Sequence, residues 1–224
     1  MSFRSKNGTS LVSGPEKLIY SYVSGKGSAK YGKDFKSENP ADFEFKASMR
    51  IGKKDAEELD KLIIAFWKAN KPAKVAAPTS TFLKPEMVDG TKKDNYGKLE
   101  KVESGNFLIT ASTNTCFGKG ADLKMTSIKL LNSKGVEIPK SHALQIGDVG
   151  VGEGSEGFIH GKMAITEYEG KAYVKYYLAG VQFTKFVPYE GDNIEAVEVE
   201  VEDDGLGGDG LDVQDETQGD GPAV

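Results

Sequence analysis

Two adjacent segments carry the clearest hydrophobic patterns in this chain, and the two patterns have different periods. Residues 42–51 alternate as a half-buried strand does, with one side formed by Phe43, Phe45, Ala47, Met49 and Ile51. Lys53–Asn70 instead follows the helical period, with one stripe formed by Ala56, Leu59, Leu62, Ile63 and Phe66. Pro72 ends this pattern, so the sequence predicts one helix inserted after the early strands.

Shorter patterns rich in β-branched and aromatic residues predict further strands, at residues 17–23, 104–113, 124–131, 158–168 and 171–187. The dipeptide Glu169-Gly170 joins the last two strands as a tight hairpin. Other stretches predict no regular structure: a lead-in at 1–16, a loop at 24–40 and an extended connection at 71–102. Strands dominate without βαβ alternation, so we expect a mainly β domain at 1–189, a small antiparallel barrel with a helix.

The last 35 residues, Glu190 to Val224, differ from the rest of the chain in charge. They contain 13 of the 34 acidic residues and no lysine or arginine, which leaves 21 acidic and 29 basic residues in 1–189. From Asp203 onward there is no aromatic residue and no hydrophobic period, so we expect a disordered acidic tail. A basic body binds polyanions and a tethered acidic tail competes for that surface, which points to a nucleic-acid-binding protein.

The last predicted strand offers the chemistry that a single strand of nucleic acid needs. One of its faces presents rings for bases to stack on and cations for phosphates, from Lys171, Tyr173, Lys175 and Tyr177. The opposite face is apolar and predicts core. Three further groups of basic and aromatic residues extend this candidate surface: Phe158 and Lys162 beside His160 on the preceding strand, Lys46 and Arg50 on the strand at 42–51, and Tyr31, Lys33 and Phe35 in the loop at 24–40. The alternative for each group is an ordinary solvated surface.

The sequence gives no case for an enzyme, a cofactor or a metal. Two histidines and one cysteine provide too few ligands for a His/Cys site, and no Ser/His/Asp set or carboxylate pair stands out. No apolar run reaches the roughly 20 residues of a membrane span, and the first residues lack the apolar segment of a signal peptide. With its single cysteine, Cys116, the chain is expected in the cytoplasm.

The order of these features resembles one family, the single-stranded-DNA-binding replication proteins of tailed bacteriophages. The resemblance rests on the basic loop, FEFKASMRI, the helix KKDAEELDKLIIAFWKANK, the turn LLNSKGVEIP, the long hairpin and the acidic tail. It implies an oligonucleotide-binding (OB) fold, a five-stranded barrel with an inserted helix. It also implies sequence-independent coating of single-stranded DNA in phage replication and recombination. The tail would screen the DNA groove and recruit replication proteins such as a polymerase or helicase.

The sequence departs from the family in one respect, and two other functions are alternatives to DNA binding. Tails of the best-known members end in an aromatic residue, whereas this chain ends Gly-Pro-Ala-Val, so a tail contact through a terminal ring does not carry over and homo-oligomer formation stays open. A phage structural or assembly protein, whose tail holds a partner, would share the charge pattern. An RNA-binding OB module would share the Lys-Tyr face, because nothing in the sequence excludes a 2′-hydroxyl.

Overall fold

The computed structural model describes residues 2–93, 95–118 and 120–189, so the predicted acidic tail at 190–224 lies outside the described residues. Within them the chain forms eleven strands and two α-helices. The strands are β1 (Ser2–Lys6), β2 (Ser10–Tyr22), β3 (Ser28–Ala29), β4 (Phe43–Ile51), β5 (Leu83–Lys93), β6 (Leu99–Asn114), β7 (Cys116–Phe117), β8 (Lys124–Met125), β9 (Lys129–Leu131), β10 (Glu156–Tyr168) and β11 (Lys171–Lys185). The helices are α1 (Lys53–Asn70) and α2 (Lys140–Val149).

Five of the strands form a closed ring in the order β2, β10, β11, β6, β4 and back to β2. This confirms the prediction of a mainly β fold with an inserted helix, and the ring has the expected number of strands. Four of the pairings are antiparallel, but β11 pairs with β6 in parallel at Tyr177 and Ser112. A ring with an odd number of strands cannot alternate in direction all the way round, so one pairing has to be parallel.

The interior of the ring is apolar, and α1 packs one face against it. The alternation along β4 places Phe45, Ala47 and Met49 in the core, as predicted. The helix buries Ala56, Leu59, Ile63, Phe66 and Trp67, and its bounds are those predicted from the period. Trp67 is 4% exposed and donates its indole N–H to the carbonyl of Ala76 at 3.2 Å, so its role is packing.

The prediction of a loose lead-in at residues 1–16 is wrong. β1 and the first half of β2 form a hairpin there, joined by the three residues Asn7, Gly8 and Thr9; the φ angles of Asn7 and Gly8 are 58° and 67°. Three-residue loops are among the common hairpin connections, and the dipeptide Asn-Gly readily supplies their positive φ angles. This dipeptide was a signal that the sequence analysis missed.

Three further predictions need correction. The connection expected at 71–102 contains β5 and the start of β6, which pair as a long hairpin. The single strand expected at 124–131 is two short strands, β8 and β9, which pair with β7 and β11 respectively. The helix α2 was not predicted, because its apolar pattern is short; packing of Ala143 and Ile146 against the core stabilises it.

None of the described helices has the length and apolar character to cross a membrane.

Candidate nucleic-acid interface

The two faces of β11 divide as its sequence predicts. Ala172, Val174, Tyr176 and Leu178 are all buried. Lys171 and Lys175 are exposed, Tyr173 is half-buried and Tyr177 is 38% exposed. A bulge near Gly180 then reverses the alternation, and Val181 and Phe183 turn into the core. The outward Lys-Tyr face therefore exists as a continuous surface on the ring.

The buried side chain of Tyr176 fixes the position of β11 and therefore of its outward Lys-Tyr face. Its hydroxyl lies 2.8 Å from the carbonyl of Leu11 and 2.7 Å from that of Ile159, so β11 is tied to both β2 and β10. Burial raises the pKa of this hydroxyl, which keeps it protonated as a donor. The ring packs over Gly161, where an added Cβ would come within 2.7 Å of it.

Pairing across the sheet joins residues from four strands into one outward row. Lys46 on β4 pairs with Ser112, Ser112 with Tyr177, and Tyr177 with Lys162 on β10. Directly paired residues point to the same face of a sheet, and neighbouring strands lie about 4.8 Å apart. The row therefore spans about 14 Å, and it brings Lys46 to the same face as Lys162 and Tyr177, which lie far from it in sequence.

A cleft of about 640 Å³ opens beside this row. Three of the predicted site residues, Lys46, Tyr173 and Lys175, line it. Its other lining residues are Ser80, Thr81, Phe82, Lys84, Pro85, Met87, Leu108, Thr110, Ser112, Val174 and Tyr176. The cleft thus combines lysines, hydroxyl groups and apolar or aromatic surface, the combination that single-stranded nucleic acid requires.

The segment before β5 forms one wall of the cleft by lying between β11 and β6. Val174 donates its backbone N–H to the carbonyl of Ser80 at 3.1 Å, and Thr110 donates to that of Phe82 at 3.3 Å. The ring of Phe82 packs on Tyr176 at 5.1 Å between centroids. Sequence reasoning missed this wall, and with it Lys84 at the start of β5, because it treated residues 71–102 as a connection. No local pattern indicates that its partners lie about 30 and 90 residues away.

Arg50 lies on the same strand as Lys46 but has a partner of its own. Its Nε donates to Oε1 of Glu86 at 2.6 Å, and a terminal guanidinium nitrogen contacts the same oxygen. The Glu86 side chain is only 7% exposed and also accepts from Ser104 at 2.7 Å. The guanidinium, followed by the Ser104 hydroxyl, lowers the pKa of Glu86, so its carboxylate stays ionised against Arg50. This ion pair joins β4 to β5, a role that the sequence did not indicate.

The remaining predicted residues of the ring lie outside the cleft lining. Phe158 is four residues along β10 from Lys162, about 13 Å away, and it is half-buried over Gly14. His160 is half-buried 6.5 Å from the Phe158 ring, and burial lowers its pKa. Lys171, at the other end of β11, is exposed beyond Tyr173 and does not line the cleft either.

The loop between β3 and β4 presents two exposed rings. Tyr31 is fully exposed and Phe35 is 70% exposed. Lys33, however, lies 3.1 Å from Asp42, whose pKa is lowered by the hydroxyl of Ser37 and then by this lysine. The loop leaves the ring near Lys46, because β3 pairs with the first residues of β4. Its rings therefore lie on the side of the row where β4 begins.

Similar structures belong to bacteriophage proteins. No family model matches the sequence, and no curated protein matches it. The C-terminally truncated single-stranded DNA-binding protein of bacteriophage Enc34 matches with a TM-score of 0.50 at 15% identity, over 82% of this chain and 90% of that one. The Enc34 protein in complex with ssDNA scores 0.49 at 13% identity, over 84% of this chain and 96% of that one. Gp2.5, a single-stranded DNA-binding protein of bacteriophage T7, scores 0.46 at 17% identity, over 84% and 98%.

The similarity to the truncated Enc34 protein is a similarity of fold, because the two sequences share few identical residues. It confirms the family resemblance at the level of the fold. The chain therefore shares the fold of a bacteriophage single-stranded DNA-binding protein, that of phage Enc34.

Proposed function

We propose that this protein binds single-stranded DNA without regard to sequence, in the cleft between β11 and β5. The observation that carries the proposal is the lining of that cleft. Lys46, Lys84 and Lys175 come from three different strands and line the cleft together with Tyr173. Tyr177 continues the same face of β11 at the parallel pairing with β6.

The chemistry of this lining explains affinity without sequence preference. Tyrosine rings stack on any base, and each stacked base contributes about 1–3 kcal/mol. Lysines on single-stranded phosphates release counterions, each adding about 0.7 to the slope of log affinity against log salt. Three cleft lysines correspond to a slope of about 2. The rings need unstacked bases, so a single strand should bind more tightly than a duplex.

The biological role that we propose follows from the binding of single-stranded DNA. Coating exposed single strands protects them during phage DNA replication and recombination, and the expected place is the cytoplasm of the bacterial host. The fold shared with the Enc34 single-stranded DNA-binding protein supports this role. The protein acts by binding rather than by catalysis. Its domain at 1–189 would bind DNA, with homo-oligomer formation as one means of coating longer strands.

The acidic tail at 190–224 regulates the proposed binding. Its 13 acidic residues compete with DNA for the basic cleft, and they recruit basic surfaces of replication proteins such as a polymerase or helicase. Bound DNA would displace the tail and leave it available to such partners. The charge difference between residues 1–189 and the tail supports this part of the proposal.

An RNA-binding function is the second candidate, favoured by the hydroxyl groups of the cleft. Ser80 and Ser112 line it and could each hydrogen-bond a ribose 2′-hydroxyl, whereas the hydroxyls of Thr81 and Thr110, which also line it, are already bonded to Leu83 and Ser48. Binding of the full chain to oligo-dT, oligo-U and duplex DNA, each at 50 and 300 mM salt, distinguishes the candidates. We expect oligo-dT to bind most tightly. Equal or tighter binding of oligo-U would favour the RNA module, and no binding to any ligand would favour a structural or assembly protein.

A further inference from the structure

The hairpin of β5 and β6 extends beyond the ring as an arm. β6 pairs with β4 only from Phe107 onward, and before that residue its described pairing is with β5. Consecutive residues are exposed on both strands, Met87 and Val88 on one and Lys101 and Val102 on the other. Since neither face of this ribbon is covered, the arm stands free of the core. From Pro85 to Lys93 it reaches about 25 Å.

The base of the arm is continuous with the cleft. Lys84, Pro85 and Met87 line the cleft and are also the first residues of the arm. The Arg50–Glu86 pair fixes this base to β4. A strand of nucleic acid that leaves the cleft past Lys84 and Met87 therefore passes along the arm.

The tip of the arm repeats the chemistry of the cleft. Tyr96 is 90% exposed, and Lys92, Lys93 and Lys98 surround it in sequence and are all exposed. Residues 91–98 contain three lysines and one acidic residue, so the tip is basic. Nearer the ring, Glu86 and Asp89 are paired with Arg50 and Lys101, which reduces their repulsion of phosphate, whereas Glu100 and Glu103 on β6 are exposed. The basic surface of the arm is therefore its tip.

We infer that the tip of the β5–β6 arm is a second contact for the same DNA strand, in which Tyr96 stacks on a base and Lys92 and Lys93 meet phosphates. This inference rests on the proposed function and adds residues that the cleft does not contain. An exposed aromatic ring among lysines fits a single strand, because it offers stacking and charge without a pocket. The arm then lengthens the occluded site beyond the cleft.

The length of the oligonucleotide separates the two contacts in an experiment. A single OB-type fold covers about 4–16 nucleotides, so an oligo-dT of about 6 fills the cleft alone and one of about 20 also reaches the arm. For the full chain, Tyr96→Ala and the double variant Lys92→Gln/Lys93→Gln should leave affinity for the short oligonucleotide unchanged. Tyr96→Ala should weaken binding of the long one by at least about 5-fold, the low end for one stacked base. The double lysine variant should weaken it most at low salt and flatten its salt slope by about 1.4, the value for two released counterions.

Matched variants test whether the loss of affinity for the long oligonucleotide is caused by the missing ring of Tyr96 and by the missing lysines of the tip. Tyr96→Phe keeps the ring and should bind the long oligonucleotide as the wild type does. The double variant Lys53→Gln/Lys54→Gln removes two exposed lysines at the start of α1 and should leave the long-to-short affinity ratio unchanged. Thermal unfolding confirms that the arm variants remain folded, and light scattering shows whether the arm instead holds a second copy of the chain.

The outcomes distinguish this inference from the proposed function. Arm variants that bind both oligonucleotides like the wild type would overturn the second contact and leave cleft binding intact. Equal weakening of both lengths, or a change in oligomeric state, would also overturn it. A wild type that binds neither length would overturn both proposals. Selective loss on the long oligonucleotide, with rescue by Tyr96→Phe, supports the arm as part of the DNA track.

Discussion

Arg50 donates its Nε–H to Glu86 at 2.6 Å, and this bond links the strand that carries Lys46 to the strand that carries Lys84. Both lysines line the cleft, so the ion pair sets the spacing of two walls of the candidate site. Glu86 is buried and also accepts from Ser104, whereas the Arg50 side chain is half-exposed. A residue that sequence alone assigns to phosphate binding thus has a structural role here.

Replacing Arg50 by Gln should destabilise the protein by about 1.5–3 kcal/mol, because it removes a charged hydrogen-bond donor from a buried carboxylate. Urea unfolding measures this change. Lys101→Gln is the matched control, since its pair with Asp89 is exposed at both ends and should contribute less than about 1 kcal/mol. Equal effects of the two substitutions would contradict the structural role of Arg50.

The same ion pair predicts how stability depends on pH. Arg50 lowers the pKa of Glu86 below its value in the unfolded chain, about 4.3. The contribution of Glu86 is therefore fully present above that value and is lost as the pH falls through the folded-state pKa. The stability difference between wild type and Glu86→Gln should be largest at neutral pH and should shrink in acid. A difference that grows on acidification would contradict the assignment.

Tyr173→Ala should weaken oligo-dT binding by about 1–3 kcal/mol with little change in the salt slope, because it removes a stacking ring but no charge. Fluorescence anisotropy at several salt concentrations measures both quantities. Tyr173→Phe keeps the ring and should bind as the wild type does. If Tyr173→Ala is folded and binds normally, the stacking platform lies elsewhere, and the loop rings of Tyr31 and Phe35 are the next to test.

Unlike substitutions of Tyr173, substitutions of cleft lysines should change the slope of log affinity against log salt. Lys175→Ala and Lys84→Gln should each flatten the slope by about 0.7, the value for one counterion released from a single strand. Lys54→Gln removes the same charge from an exposed residue of α1 that does not line the cleft and should leave the slope unchanged. Because Glu86 already neutralises Arg50, the slope of Arg50→Gln should also stay close to that of the wild type. A full loss of about 0.7 in that variant would assign a phosphate contact to Arg50.

Ending the chain after Tyr189 should tighten binding to single-stranded DNA, because it removes the 13 acidic residues that compete for the cleft. A flexible tether of 35 residues has a root-mean-square reach of about 30 Å, enough to find the cleft of its own molecule. Salt screens exposed charges beyond about 10 Å at 0.1 M, so the gain should be larger at 50 than at 300 mM. Unchanged or weaker binding at low salt would rule out competition and leave partner recruitment as the role of the tail.

The sequence by itself determined the elements whose patterns are local. The helix α1 has the predicted bounds, because its apolar stripe repeats with the helical period over five turns. The inward and outward faces of β4 and β11 follow from alternation, and the turn at Glu169 and Gly170 adopts the positive φ angles that a tight hairpin requires. Asn7-Gly8 carries an equally local signal for the first hairpin. The separation of charge between the body and the tail is likewise a property of sequence alone.

Only the tertiary structure decided how these elements form a site. Lys46, Lys84 and Lys175 lie about 40 to 130 residues apart, and pairing between distant strands brings them to one cleft. The parallel contact of Tyr177 with Ser112 follows from closing five strands into a ring, which no segment encodes separately. The pairing of Arg50 with Glu86 depends on where β5 lies on the ring. β5 pairs with β6, the next strand in the chain, and β6 in turn pairs with β4, which brings Glu86 to Arg50. Periodicity reports which face of an element is buried, whereas the partner of each exposed charge depends on contacts that only the folded ring creates.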